Sequence, residues 1–318
     1  MKDPPTPPPV IPAPAAEALR PSVLRGILLM CLGVAMFPFL NAAAKLLTQH
    51  YPVPEIVWAR FTGHLVWVVI LFFPRRGWRL FLAHRPLVQI ARSFLLFGST
   101  MFFVSAIGRL PLATASAIGF TSPFIVTALS VPLLREPVGP RRWAAVCVGF
   151  LGALIVVRPQ PSLSGAATLL ALCGAGCYAL YQIMTRKGGA HDSAETAIVY
   201  AALVGSVVSS LMAPWFGMRL PELPLHWLLF IATGFFGGIG HYFVGRALQS
   251  VPAAIISPFG YVEIVGTTAL GYLIFGNFPD GWTWVGVAII IACGLYVGYR
   301  ERVRRAEARA VSAGAEPL

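Results

Sequence analysis

Residues 110–130 read LPLATASAIGFTSPFIVTALS, and residues 251–271 read VPAAIISPFGYVEIVGTTALG. Laid over each other without a gap, they match Pro111 with Pro252, Ala113 with Ala254, Ser116 with Ser257, Gly119 with Gly260, and Thr127, Ala128 and Leu129 with Thr268, Ala269 and Leu270. One offset of 141 residues (247 − 106 = 141) carries Ala106–Val157 onto Ala247–Gly298 and sets Trp143 on Trp284, with about a dozen positions matched in all. Upstream, the same offset places Leu28, Leu29 and Gly33 on Leu169, Leu170 and Gly174, and Phe37, Asn41 and Lys45 on Tyr178, Gln182 and Arg186. One half of the chain is therefore a copy of the other. The copies are made of hydrophobic spans, and an odd number of spans per copy turns the second upside down in a bilayer, the layout of inverted-repeat transporters.

The 318 residues are 57% hydrophobic and 11% charged, with a mean hydropathy of +0.74, more apolar surface than a soluble core can hide. A net charge of +12 in a soluble protein would suggest nucleic acid. Here the basic residues sit in short gaps between apolar runs, where their role is topological, so the expected partners are the lipid bilayer and a small-molecule substrate, with no nucleic acid. Cys31, Cys147, Cys173, Cys177 and Cys293 lie inside apolar runs without paired ligand spacing, so neither a disulfide framework nor a metal site is indicated, and no cofactor is expected.

Apolar segments long enough for the roughly 30 Å hydrocarbon layer begin at Val23, Pro54, Pro86, Pro111, Arg142, Gly165, Ala194, His226, Pro252 and Trp282. The expected fold is an all-α integral membrane protein of ten transmembrane helices in two inverted five-helix repeats. The first repeat covers residues 23–158 and the second 164–300, between a disordered Pro-rich tail (1–22) and a basic tail (301–318) whose start extends the last helix by a turn or two. With the N-terminus inside, inner segments hold about eighteen Lys and Arg, among them Arg75, Arg76, Arg135, Arg142, Arg186 and Lys187, against about four outside. That count places both termini in the cytoplasm, in a bacterial inner membrane.

A charge near the bilayer centre costs at least about 2.5 to 3.5 kcal/mol, so each one needs a reason. Glu263 is the main case, about eleven residues and so roughly 16 Å beyond the inner end of its span. Pro258 and Gly260 precede it and can open the helix there, and Thr267 shares its face. A carboxyl group at that depth is a candidate for exchanging protons in a transport cycle; the plainer reading is an ion pair that fixes packing. Arg60 and Arg92 each lie about six residues inside a helix end. Either can pair with Glu263 or receive a substrate carboxylate, for which a guanidinium is the suitable fork; snorkelling toward headgroups competes with that reading. Asn41 and Gln182, accompanied by Phe37 and Tyr178, are polar residues in apolar helices that the inversion would set at opposite ends of one path. Interhelical hydrogen bonding explains them equally well. His64 and His241 are intramembrane candidates for a proton relay, though a lone histidine is more often a packing residue. Trp58, Tyr178, Tyr181, Tyr200, Tyr242 and Tyr261 can stack on a flat substrate or anchor the interface. Gly234 with Gly238, and Gly294 with Gly298, allow close helix contact within one chain or across a homodimer.

The stretch from Leu110 to Ser130, Arg135-Glu136 after it, VWARF at Val57 to Phe61, Arg92, and VPAAIISPFGYVE at Val251 to Glu263 together resemble the EamA-type drug/metabolite transporter superfamily over Val23 to Arg300. The resemblance implies ten helices in two inverted halves and transport of small organic metabolites. The chain departs from the family in two places. Ser122 stands where a carboxylate often follows the repeat's glycine, which would move proton coupling to Glu263, and Gly276-Asn277 replaces the usual Gly-Glu.

The expected function is a secondary transporter, alternately open to each side and coupled to protons, for an amino acid, vitamin or nucleoside-like metabolite. Glu263 is its coupling or cation-recognising group, Arg60 and Arg92 its anion partners, and Asn41, Tyr178, Gln182 and His241 its path-lining contacts. The sequence has no Walker pattern. An intramembrane enzyme is disfavoured because Glu263 has no second carboxylate at its depth and neither GxSxG nor HExxH occurs. A channel is disfavoured because no filter or charged-ring motif is present.

Overall fold

The computed structural model describes residues 21–134, 139–157, 165–188, 192–250 and 257–314. Most of the Pro-rich start, Arg135, Glu136, Arg158 and residues 251–256 of the second repeat copy lie outside the described residues, as do the side chains of Arg142, Arg186 and Lys187.

Helices account for all the regular structure described. They are α1 (Pro21–Leu47), α2 (Val53–Arg76), α3 (Pro86–Ile107), α4 (Leu112–Gly119), α5 (Ser122–Leu134), α6 (Pro140–Val157), α7 (Gly165–Gly188), α8 (Ala194–Phe216), α9 (Pro224–Ser250), α10 (Val262–Phe275) and α11 (Gly281–Gly314). Among the described residues, eight segments are long and apolar enough to cross a membrane, one of them formed jointly by α4 and α5 over Leu112–Leu133. Trp143–Val156 and Phe259–Phe275 are shorter apolar helices. The last helix continues well past the turn or two expected beyond Arg300, to Gly314. The stretch ERVRRAEARA is rich in strong helix formers, which explains the extension.

Polarity is arranged inside out. Leu28, Val265 and Leu273 point outward at 55%, 70% and 75% exposure, while Asn41, His64 and Arg92 are buried. Lipid accepts the first set without cost, and the helices shield the second from it.

Positions equated by the 141-residue offset pack in equivalent ways. The offset equates α1 with α7, α2 with α8, α3 with α9, α5 with α10, and α6 with α11. Helix α1 packs on α9 and α7 on α3, α2 on α9 and α8 on α3, and α1 on α10 and α7 on α5, so each contact occurs in both copies. The pairs α2–α8 and α6–α11 join a helix to its own counterpart. The correspondence reaches atomic detail at two glycines. A Cβ on Gly33 would sit 2.9 Å from the Gly240 carbonyl oxygen and 2.9 Å from the Val244 nitrogen. One on Gly174 would sit 3.3 Å from the oxygen of Ser99 and 3.4 Å from the nitrogen of Phe103, the positions equated with Gly240 and Val244. At Gly33 any Cβ would collide with backbone, and at Gly174 it would press tightly against it. Gly234 and Gly238 likewise abut Gly63 and His64, and Gly294 lies under Tyr261, so these small residues serve contacts within the chain.

Near the equated Gly119 and Gly260 both copies depart from α-helix. In the first, α4 stops at Gly119 and α5 starts at Ser122; in the second, a 3-10 turn over Ser257–Tyr261 runs into α10 at Val262. Pro258 and Gly260, expected to open the helix, lie in this turn.

Where α2 and α7 end, polar contacts join the two copies. Asp192 accepts from the backbone N–H of His84 at 2.8 Å and from Gln89 Nε2 at 2.7 Å, with His84 Nδ1 3.1 Å from the same carboxylate. Burial works to raise the Asp192 carboxyl, but these hydrogen bonds outweigh it and hold the group below the ordinary aspartate range. Nearby, Glu195 pairs with Arg76 at 3.4 Å and with Arg246 at 3.8 Å. At the opposite ends of the helices, Lys45 donates to the carbonyls of Ile107 and Leu110, both at 2.6 Å, and so caps the end of α3.

Candidate functional site

The break between α4 and α5 and the first turn of α10 face a central cavity of about 180 Å³. Helix α3 lines it with Leu96, Ser99, Thr100 and Phe103, one face at three- and four-residue spacing. Phe37, Leu40 and Asn41 come from α1, Arg60 from α2, Gly174, Ala175 and Tyr178 from α7, and His241 from α9. The break in the first copy supplies Ser116, Gly119, Phe120 and Ser122, and the first turn of α10 supplies Glu263. Phe37 and Tyr178, Thr100 and His241, and Ser122 and Glu263 are pairs equated by the repeat offset, and every member of them lines this one cavity.

The first turn of α10 suits a carboxylate, because the positive end of the helix dipole favours negative charge there. Glu263 Oε1 accepts a hydrogen bond from Asn41 Nδ2 at 3.3 Å. Thr267, expected to share its face, spends its hydroxyl on the carbonyls of Glu263 and Ile264. Arg60 is within electrostatic range of Glu263 and Tyr178 without pairing to either. The His241 ring lies 5.0 Å from Phe37 and 6.1 Å from His64, nearly parallel to the latter. The Nε2 atoms of both histidines are buried without a hydrogen-bond partner, as is Ser116 Oγ.

Of the seven residues singled out from the sequence, Glu263, Arg60, Asn41, Tyr178 and His241 meet in this cavity. Arg92 and Gln182 do not line it. Each lies four residues, one helical turn, beyond a lining residue on the same face, Leu96 and Tyr178 respectively. Tyr181 takes up Arg92, accepting from Nη2 at 3.0 Å with the guanidinium 5.0 Å over its ring. Asn41 donates to Glu263. Among the other aromatics, Trp58 donates to Ser210, Tyr200 to the carbonyl of Phe81, and Tyr242 packs on Phe72. Sequence reasoning passed over Ser99, Thr100 and Ser116, which are small polar residues in apolar runs. The spacing from Leu96 to Phe103 was the available signal.

The chain is similar to known proteins over nearly its whole length. The model of the EamA-like transporter family matches residues 24–158 and 165–298. A riboflavin transporter of Vibrio cholerae is 29% identical over 273 residues, 84% of this chain and 91% of that protein. An S-adenosylmethionine uptake transporter of Rickettsia bellii is 30% identical over 250 residues, 78% of this chain and 84% of its own. A pseudopaline exporter of Pseudomonas aeruginosa is 29% identical over 276 residues, 84% and 94% of the two chains. A solved crystal structure with 19% identity superposes with a TM-score of 0.63 over 90% of this chain and 98% of its own, which shows a shared fold.

Proposed function

This chain belongs to the EamA-like transporter family, and on that premise we propose that it is a secondary carrier that moves its solute by rocking two inverted five-helix halves about the central cavity. It is a multi-pass inner-membrane protein that transports a small metabolite. The observation that carries the rocking mechanism is the cavity itself, lined by three pairs of offset-equated residues, by the break between α4 and α5 and by Glu263 at the start of α10. Interrupted helices at corresponding positions of two halves are the expected place for a carrier's binding site. The recurrence of each helix pairing in both copies supports the ten-helix inverted arrangement, and the excess of basic residues in alternate loops supports cytoplasmic termini.

The solute is an amino acid, vitamin or nucleoside-like compound, the range spanned by the names of the similar transporters. Glu263 is the coupling group. Arg60 on α2, Asn41 on α1, Tyr178 on α7 and His241 on α9 face the same cavity and set its electrostatic surroundings.

Counterflow in proteoliposomes tests the carrier reading. Vesicles loaded with unlabelled solute should accumulate external labelled solute transiently, because the site returns loaded. Flux that never shows exchange would identify a channel and end the carrier reading.

A further inference from the structure

Polar groups around the central cavity have hydrogen bonds left to make. The Arg60 guanidinium offers five N–H donors, yet among the described residues it makes no hydrogen bond and no ion pair. The Phe61 ring lies 5.8 Å from it, and it interacts electrostatically with Glu263, Tyr178, His64 and His241. The Glu263 carboxylate can accept about four hydrogen bonds and receives a single long one, from Asn41 at 3.3 Å. Ser116 Oγ and His241 Nε2 are buried and unpartnered at the same cavity. A guanidinium and a carboxylate that share one cavity without touching leave room for a group of opposite charge at each.

Resting on the carrier reading above, we propose that the site selects a zwitterionic headgroup: the solute's carboxylate is held by Arg60 and its ammonium by Glu263 beside Asn41, while a flat ring lies against Phe37, Phe120 and Tyr178. A solute with one charge would leave either Arg60 or Glu263 half-buried and unpaired, and a neutral one would leave both, which is the costly outcome at membrane depth. An amino-acid headgroup on a ring satisfies both in one molecule, with Ser116 and His241 available for its remaining polar atoms. A proton on Glu263 would compete with the ammonium for the same oxygens, so loading and protonation exclude each other there.

Calorimetric titration of the purified full chain in detergent tests the assignment with three probes. S-adenosylhomocysteine carries a carboxylate and an ammonium on a nucleoside; 5′-methylthioadenosine keeps the nucleoside and loses the headgroup; riboflavin is a flat neutral ring. S-adenosylhomocysteine should bind at least about tenfold more tightly than the other two. Arg60→Gln should erase that margin by weakening S-adenosylhomocysteine without weakening 5′-methylthioadenosine, and Arg60→Lys, which keeps the charge, should retain part of it. The proposal is overturned if S-adenosylhomocysteine fails to bind, if either headgroup-free probe binds as tightly, or if Arg60→Gln weakens all three equally. Counterflow of the same compounds separates the two readings. Headgroup-dependent binding without exchange removes the carrier and keeps the zwitterion site, whereas efficient exchange of riboflavin or 5′-methylthioadenosine keeps the carrier and removes the zwitterion.

Discussion

Phe120 and Tyr261, which the 141-residue offset sets on each other, touch: their ring centroids are 5.3 Å apart and their planes are inclined by 34°. Phe120 follows the end of α4 and Tyr261 closes the 3-10 turn before α10, so the contact joins the stretches where the two copies depart from α-helix. In a double-mutant cycle, Phe120→Ala and Tyr261→Ala should couple by about 0.5–1.5 kcal/mol in thermal or chemical unfolding. Strictly additive losses would show that the rings pack independently.

Glu263→Gln keeps the shape of the side chain and removes its ionisation. Accumulation driven by a pH gradient should be lost in proteoliposomes, while counterflow at raised solute concentration persists. Gradient-driven accumulation at the normal level in this variant would remove Glu263 as the coupling group.

The crossing of α2 and α9 depends on two glycines. A Cβ on Gly234 would lie 2.6 Å from Gly63 Cα, whereas one on Gly176 meets nothing within 4 Å. Gly234→Ala should therefore destabilise the protein by about 1–3 kcal/mol, because backbone rather than a movable side chain stands in the way. Gly176→Ala should be neutral or stabilise α7 by up to about 1 kcal/mol. The melting temperature in detergent should fall for Gly234→Ala and stay level or rise for Gly176→Ala.

Lys45 presents a sharper case. Removing its ammonium in Lys45→Met leaves the carbonyls of Ile107 and Leu110 without their charged donor, a loss of about 2–3 kcal/mol. A melting temperature unchanged from the wild type would mean that water replaces the ammonium there.

The Asp192 cluster predicts a dependence on pH. The folded carboxyl is held below its ordinary value, so its contribution is present in full above the unfolded aspartate range, near about pH 4. It is lost as pH falls from there through the lower folded value. Asp192→Asn should thus lower the melting temperature at neutral pH, and the gap between variant and wild type should close in acid. A gap independent of pH would assign the effect to lost shape rather than lost charge.

Much of the architecture was legible in the chain. Hydrophobic run length marked ten apolar segments, and the duplicated stretch around Gly119 and Gly260 marked where both copies lose helix, because proline and glycine act through local backbone geometry. The cost of charge in hydrocarbon singled out Glu263 and Arg60 for the same reason: depth along a span is a one-dimensional quantity. What needed the tertiary structure was partnership. Asn41 and Glu263, 222 positions apart, meet because α1 packs on α10, and no local pattern encodes that. Arg92 and Gln182 satisfied the same test of polarity at depth as Arg60 and Asn41, yet one helical turn sets them beyond the cavity, where Tyr181 claims Arg92. Sequence by itself determined that two copies of one unit must fold inside a membrane, through apolar length and repetition. The packing of one copy against the other decided which polar side chains share a cavity, because that is settled by helix facing and by close backbone approach at Gly33, Gly63, Gly174 and Gly234.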